Sequence, residues 1–347
     1  MLLHRFSLIL VFLLYLCIMS KKKNGFAVPA KQMGYGVVVR NTGSSYVVRL
    51  DGGETVNCRI KGNFRIKGIR TTNPVAVGDV VSVCEAADDA DFITAIKPRR
   101  NYIIRRASNL SKESHILAAN LDQTLLVATL REPQTTTTFI DRFLATAEAY
   151  AVPAVLVLNK CDAWDEDDRE VAEALKTLYS SIGYPVAAVS AKTGEGLGIL
   201  TEMLHGKVTL LAGNSGVGKS SLINALVPDA RLRVGEISDM HHTGTHTTTF
   251  SEMVDLPGGG SLIDIPGVKG FGTIDFEPAE VSHYFPEIFR YGRECRYGDC
   301  RHTGEPGCAV AEAVAGHYIS ESRYASYLSI LEEALGEDGA EKYRKPF

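Results

Sequence analysis

Gly213-Asn214-Ser215-Gly216-Val217-Gly218-Lys219-Ser220 is the segment that most narrows what this chain can fold into. The spacing G-x-x-x-x-G-K-S needs a backbone whose N–H groups turn inward around one anion. It also needs a lysine that reaches across that anion and a hydroxyl for a divalent cation. Such a loop works between a buried strand and the start of a helix, where the helix dipole adds to the field. The apolar run Val208–Ala212 before it and the helix-forming run 221–226 after it supply both. The reading is a nucleotide-binding α/β layer. Residues 213–220 and Ser221 surround the phosphates, Lys219 reaches the β/γ oxygens, and Ser220 ligates Mg²⁺.

Asn159-Lys160-Cys161-Asp162 directly follows the apolar run ending at Leu158. A carboxylate at its fourth position accepts from both N1–H and N2–H₂ of guanine, a donor pair that adenine lacks. Asn159 braces the loop and the Lys160 stem covers the base face; a plain polar turn is the alternative. Ser190-Ala191-Lys192 reads as the companion loop whose backbone N–H meets guanine O6. Asp264-Ile265-Pro266-Gly267 fits D-x-x-G at a strand end, with Asp264 holding Mg²⁺ through water and the Gly267 N–H sensing the γ-phosphate. Within Gly244-Thr245-His246-Thr247-Thr248-Thr249, Thr247 or Thr248 is the expected Mg²⁺ ligand in the triphosphate state, unless the run is only a threonine-rich surface loop. Val268 stands where Ras-like GTPases carry a water-positioning Gln. An aliphatic side chain cannot orient water, so slow intrinsic hydrolysis is expected. His246 is then either the catalytic residue or a structural hydrogen-bonding one.

The guanine motifs precede the phosphate loop, the reverse of an ordinary GTPase. Circular permutation moves the chain ends without changing the site. It also runs the Asp264–Gly267 switch straight into the C-terminal module, so loss of the γ-phosphate can pull on that module.

Cys295-x₄-Cys300-x-His302-x₅-Cys308 offers three thiolates and one imidazole, a closed tetrahedral set for structural Zn²⁺ rather than a catalytic site. Coincidence or a redox role is the alternative. The other four of the seven cysteines are scattered, as in a reduced intracellular protein and not a disulfide-stapled one. The net charge of −4 hides an asymmetry: residues 1–32 and 33–106 are each +5, 107–275 is −9 and 276–347 is −5. Residues 35–97 carry five short β-type runs split by turn residues, which suits an OB-fold barrel. Arg59, Lys61, Arg65, Lys67 and Arg70 cluster near the third run. They are either a solvated edge that discourages aggregation or an RNA-backbone surface. From 99 to 275 strands alternate with helices, with helices over 139–150 and 167–181. An Ala-rich helical tail is expected over 309–335.

The division is therefore 1–32, an N-terminal extension of uncertain status; 33–98, an OB-fold RNA-binding domain; 99–275, a permuted GTPase domain; and 276–347, a zinc-binding helical domain. The apolar run 6–19 is short of the roughly 20 residues that span a bilayer and is followed by Lys21, Lys22 and Lys23. A signal-like core and a translation start at Met19 or Met33 are both open readings.

The permuted order, residues 213–220, His246-Thr247-Thr248-Thr249 and the Cys/His spacing together resemble the ribosome small-subunit-dependent GTPase A family (RsgA/YjeQ) from Met33 to the C-terminal helices. The resemblance implies an OB-fold, a permuted GTPase domain and a zinc domain. It implies binding to the small (30S) ribosomal subunit and its rRNA, GTP hydrolysis to GDP and phosphate that the subunit stimulates, and dissociation as the subunit matures. Position 246 carries the family's catalytic histidine. Thr245 departs from the Arg or Lys usual there, and the apolar residues 1–20 are not a family feature. A monomeric cytoplasmic protein with no membrane partner is expected. Two rivals are a GTP-binding RNA scaffold without turnover and a large-subunit assembly GTPase.

Overall fold

The computed structural model describes residues 32–43, 45–60, 74–85, 91–106, 114–230, 251–264 and 276–340. The first module is built from β1 (Gln32–Asn41), β2 (Tyr46–Leu50), β3 (Thr55–Ile60), β4 (Val80–Cys84) and β5 (Asp91–Ile96). Alternate residues point inward, so Val38, Tyr46, Val48, Leu50, Cys58, Val81, Val83 and Ile93 share one core. β1 pairs with β2 and β2 with β3, both antiparallel. β3 then runs parallel to β5, and β4 pairs with both β5 and β1. The last pairing closes the ring, which gives the expected five-stranded barrel. Arg59 is exposed on β3; Lys61, Lys67, Arg65 and Arg70 lie outside the described residues, as do residues 1–31. Among the described residues no helix is long and apolar enough to cross a membrane.

A hairpin of β6 (Tyr102–Arg106) and β7 (Ser114–Ala119) leads into the second module. Its elements are β8 (Gln123–Ala128), α1 (Thr137–Ala149), β9 (Ala154–Asn159), α2 (Glu166–Ile182), β10 (Val186–Val189), α3 (Leu197–Leu204), β11 (Val208–Ala212), α4 (Lys219–Leu226), β12 (Ser251–Asp255) and β13 (Ser261–Asp264). The strands lie in the order β10-β9-β8-β11-β13-β12, all parallel except β12. Every residue of β8 and β9 is buried, because helices cover both faces of the sheet. Leu126, Leu156 and Leu210 pack with Phe143 and Leu144 of α1 on one face. Leu125, Val127, Val157 and Leu211 pack with Leu200, Leu222 and Ile223 on the other.

The sheet does not stop at β12. The end of β1 pairs antiparallel with it, Arg40 opposite Glu252 and Asn41 opposite Ser251, so barrel and second module form one hydrogen-bonded ribbon of eleven strands. Two ion pairs, Arg40–Glu252 and Arg49–Asp255, flank the junction, both well exposed. Nothing in the alternation of β1 distinguishes a strand that closes a barrel from one that also extends a second sheet.

The third module contains α5 (Pro286–Gly292), α6 (Ala309–Ala315) and α7 (Glu321–Ala340). The expected single tail over 309–335 is two helices. His317 adopts a left-handed φ of 59° and the N–H groups of Tyr318 and Ile319 both return to the Ala313 carbonyl, closing α6 before Ser320. Ile319 then turns inward, 1% exposed. Gly316 caps α6, and the burial of Ile319 sets the path of the link into α7.

Arg323 on α7 holds this module to the second. It is 1% exposed and donates to Glu287 of α5 (2.7 Å and 3.2 Å) and to Asp141 of α1 (2.9 Å). Tyr179 of α2 donates to the same Asp141 oxygen at 2.8 Å, and the guanidinium stacks 4.6 Å from the Phe285 ring centroid. Removing one member of a buried charge network leaves the others desolvated and unpaired. Arg323→Ala is therefore expected to lower unfolding stability by about 3–5 kcal/mol, while Arg40→Ala, at an exposed pair, costs less than about 1 kcal/mol. Denaturant titration of the two variants side by side checks this ranking.

Candidate functional site

The loops after β8, β9, β10 and β11 leave the same edge of the sheet, at which β13 also ends, since those five strands are parallel. Ligands of open α/β sheets bind at that carboxyl edge. The phosphate loop fills the gap between β11 and α4, whose first residue is Lys219. Two of its glycines are there by necessity. Gly213 has φ 143° and a Cβ there would sit 2.4 Å from the Val127 carbonyl oxygen. Gly218 has φ 93°, and a Cβ would sit 2.4 Å from Asn159 Nδ2. Val217 between them is fully buried and anchors the loop in the core.

Asn159, 2% exposed, ties the guanine loops to the phosphate loop. Its Nδ2 donates to the Val217 carbonyl at 2.8 Å, and its Oδ1 accepts from the Ala191 N–H at 3.3 Å. The motifs separated in sequence by up to 60 residues thus share one amide side chain. Lys160 takes a left-handed φ of 67°, and its Nζ donates to the Glu132 carbonyl at 2.5 Å. Ser190 Oγ donates to Asp162 Oδ1 at 2.6 Å and itself accepts from the Lys192 and Thr193 N–H groups at 3.2 and 3.1 Å. Lys192 Nζ stands 3.7 Å from Asp162 Oδ2. The Ser190 hydroxyl is the main cause that holds the Asp162 carboxyl below the usual carboxylate range. An ionised Asp162 is the form that accepts two N–H bonds.

Lys219 Nζ folds onto its own loop, donating to the Gly213 and Asn214 carbonyls, 2.8 Å each. Burial brings its ammonium below the ordinary lysine value, opposed by the charge of Asp264. Asp264 ends β13, whose residues pair with Leu211 and its neighbours on β11. A hydroxyl from Ser220 and a carboxylate from Asp264 are hard oxygen donors of the kind Mg²⁺ prefers. Asn214, Ser215, Gly216 and Ser221 lie in or directly after the loop as expected. His246, Thr247, Thr248, Gly267 and Val268 lie outside the described residues.

Sequence reasoning passed over the segment after β8. Pro133 lies beside the middle of the phosphate loop, where a Cβ on Gly216 would lie 3.3 Å from its Cδ, and Glu132 holds Lys160. The string Arg131-Glu132-Pro133-Gln134 matches no phosphate-loop or guanine-loop spacing, so only the fold reveals it.

In the third module the ligand atoms of Cys295, Cys300, His302 and Cys308 all lie within 4.8 Å of one another. Cys295 Sγ and Cys308 Sγ are 3.9 Å apart, and each is 3.5 Å from His302 Nδ1. A tetrahedral ion with thiolate and imidazole ligands has edges of about 3.8 Å between sulfurs and about 3.5 Å from sulfur to nitrogen. The four donors fit such an ion. Burial pushes the Cys300 thiol up to about 12, raises Cys308 and lowers His302, so a cation is what makes thiolates favourable there. Two tyrosines of α7 hold the ligand loop: Tyr324 donates to the His302 carbonyl at 2.5 Å and Tyr327 to the Arg301 carbonyl at 2.7 Å.

Gly218→Ala tests the nucleotide site at its tightest point. The added methyl collides with Asn159, so affinity for a fluorescent GTP analogue is expected to fall by about two orders of magnitude, with thermal unfolding of the ligand-free protein showing whether the fold persists.

A family model described as RsgA GTPase matches residues 96–274, and one described as RsgA N-terminal domain matches residues 35–93. The small ribosomal subunit biogenesis GTPase RsgA of Bacteroides fragilis is 59% identical over 312 residues, 90% of this chain and 99% of that protein. Its namesake in Porphyromonas gingivalis is 60% identical over 317 residues, again 90% of this chain and 99% of that one. Among solved structures, YjeQ from Thermotoga maritima superposes with a TM-score of 0.70 at 36% identity, covering 88% of this chain and 99% of that one. YloQ, described as a circularly permuted GTPase, superposes with 0.68 at 28% identity, covering 93% and 100%. With its guanine loops ahead of its phosphate loop and a barrel before both, the chain belongs to the RsgA family of GTPases.

Proposed function

We infer that this chain hydrolyses GTP to GDP and phosphate in the biogenesis of the small ribosomal subunit, binding the subunit in one nucleotide state and leaving it in the other. The observation that carries the reading is the convergence of the phosphate loop, residues 159–162 and residues 190–192 through Asn159. That junction makes a site for a guanine nucleotide and not merely for an anion. Asp162 recognises N1–H and N2–H₂, residues 190–192 form the companion loop on the O6 side, and the Lys160 stem lies against the base. Gly213 to Ser221 hold the phosphates. Ser220, with Thr247 or Thr248 and with Asp264, would hold Mg²⁺, which would supply charge neutralisation on the phosphates. Gly267 senses the γ-phosphate. His246 takes the place of the missing Gln, because Val268 cannot orient water.

The barrel of 33–98 and the module of 276–347 flank the GTPase domain of 99–275, and we assign both to the rRNA of the small subunit. The net +5 over 33–106 favours a phosphate backbone. The Cys₃His cluster takes Zn²⁺: three thiols and an imidazole with no open position select it over harder ions. All six described cysteines are free, which favours a reducing, cytoplasmic setting, and the chain acts as a monomer.

GTP turnover by the full chain, alone and with purified small or large subunits, tests the reading. Stimulation by small subunits only is expected, lost in His246→Ala with GTP binding retained. Binding to small subunits without any turnover favours a scaffold, and stimulation by large subunits alone favours a large-subunit factor. Elemental analysis is expected to give one zinc per chain, absent in Cys308→Ser.

A further inference from the structure

Residues 159–165, the guanine-recognition loop, run from the end of β9 to the cap of α2 and are gripped at both ends by two consecutive residues of another loop. At the near end the Glu132 carbonyl accepts from Lys160 Nζ at 2.5 Å. At the far end the Arg131 guanidinium reaches Asp165 Oδ2 at 2.6 Å and Asp168 Oδ1 at 2.9 Å. Asp165 and Asp168 are the N-cap and third residue of α2, and each side chain already accepts from the other's backbone N–H, at 2.9 and 3.2 Å. Arg131 therefore binds a preformed pair of carboxylates, one exposed and one only 9% exposed.

The gripping loop is itself rigid. Thr129 Oγ1 donates to the Pro133 carbonyl at 2.5 Å, Thr129 N–H to Thr135 Oγ1 at 3.1 Å, and Thr135 N–H to the Thr129 carbonyl at 2.9 Å. Its Pro133 rests on Gly216 of the phosphate loop. One short segment thus braces the phosphate loop with one residue and spans the guanine loop with two others.

We propose that Arg131 and Glu132 are positioning residues for guanine-nucleotide binding, a clamp on the Lys160–Asp165 loop that sets how fast nucleotide leaves. The inference rests on the guanine-site reading above. Lys160 sits in a left-handed conformation that costs a non-glycine residue energy, and the bond to Glu132 holds it there. Arg131 resists outward movement of the loop at its Asp165 end, so Asp162 between the two held points is kept toward the base. Release of nucleotide requires the loop to open against both contacts.

The test measures dissociation of a fluorescent GDP analogue from the full chain. Arg131→Ala is expected to release it about three- to tenfold faster, the range a partly exposed, hydrogen-bonded charge pair supports. Arg131→Lys, which keeps one charge without the fork, is expected to fall between the two. Asp165→Asn keeps the N-cap acceptor and breaks the same pair from the other side, so it is expected to accelerate release as well. Arg40→Ala removes an equally exposed ion pair remote from the loop and is expected to leave the rate at the wild-type value. Release from Arg131→Ala and Asp165→Asn at the wild-type rate overturns the clamp, as does equal acceleration in Arg40→Ala. A wild-type chain that fails to bind the guanine analogue overturns instead the nucleotide-site reading on which the clamp rests.

Discussion

Everything at the carboxyl edge of the GTPase sheet depends on one buried amide. Asn159 has a donor committed to Val217 in the phosphate loop and an acceptor committed to Ala191 in the companion loop. At 2% exposure it has no water to fall back on. A buried amide with one partner missing loses about 1–3 kcal/mol, so each of the three loops favours the placement of the other two. This explains how the order of motifs can be reversed without cost to the site. The contacts that define it run between parallel neighbours β9, β8 and β11, across the sheet rather than along the chain. Cutting and rejoining the chain elsewhere leaves every one of them in place.

The two flanking modules are attached by different physics. The C-terminal module is docked through Arg323, with Glu287, Asp141 and Tyr179 around it and almost no solvent. Such a network tolerates little displacement, because any movement strands a desolvated charge. The barrel is joined at two places: by a two-residue register between β1 and β12 with exposed ion pairs that salt screens, and by a buried seam in which Val77 packs with Ile103, Ala118 and Leu121, the Ala119 N–H donates to the Val77 carbonyl and Arg99 pairs with the buried Asp79 at 2.6 Å. Of those two places the β1–β12 register is the exposed one. A partner that grips the barrel can strain β12, and Glu252 on β12 stands directly opposite Asp264 on β13.

Much of this was legible in the sequence because the informative residues obey local rules. The phosphate loop is spelled by its glycines, the barrel strands by their alternation, and the metal cluster by ligand types within fourteen residues. What escaped depends on contacts between distant segments. Arg323 reads as an ordinary helical arginine until α1 and α5 are folded around it. Arg131 and Glu132 read as a polar turn until β8 is placed between β9 and β11. The break between α6 and α7 is spelled by Gly316, the C-cap of α6, while the inward turn of Ile319 shows only in the folded core.

Permutation suggests that loss of the γ-phosphate drags the C-terminal module, since eleven residues alone separate Asp264 from Phe276. The docking of that module argues for the opposite mechanical role. Phe276 is 7% exposed and packs 5.3 Å from Tyr284 in a core that also takes in Ala145 of α1. That core and the Arg323 network fix the far end of the tether to the helix α1, which itself packs on the sheet carrying Asp264. Both ends of residues 265–275 are thus anchored on one body. A pull at Asp264 is therefore met at Phe276 by the buried contacts that fix the C-terminal module to α1.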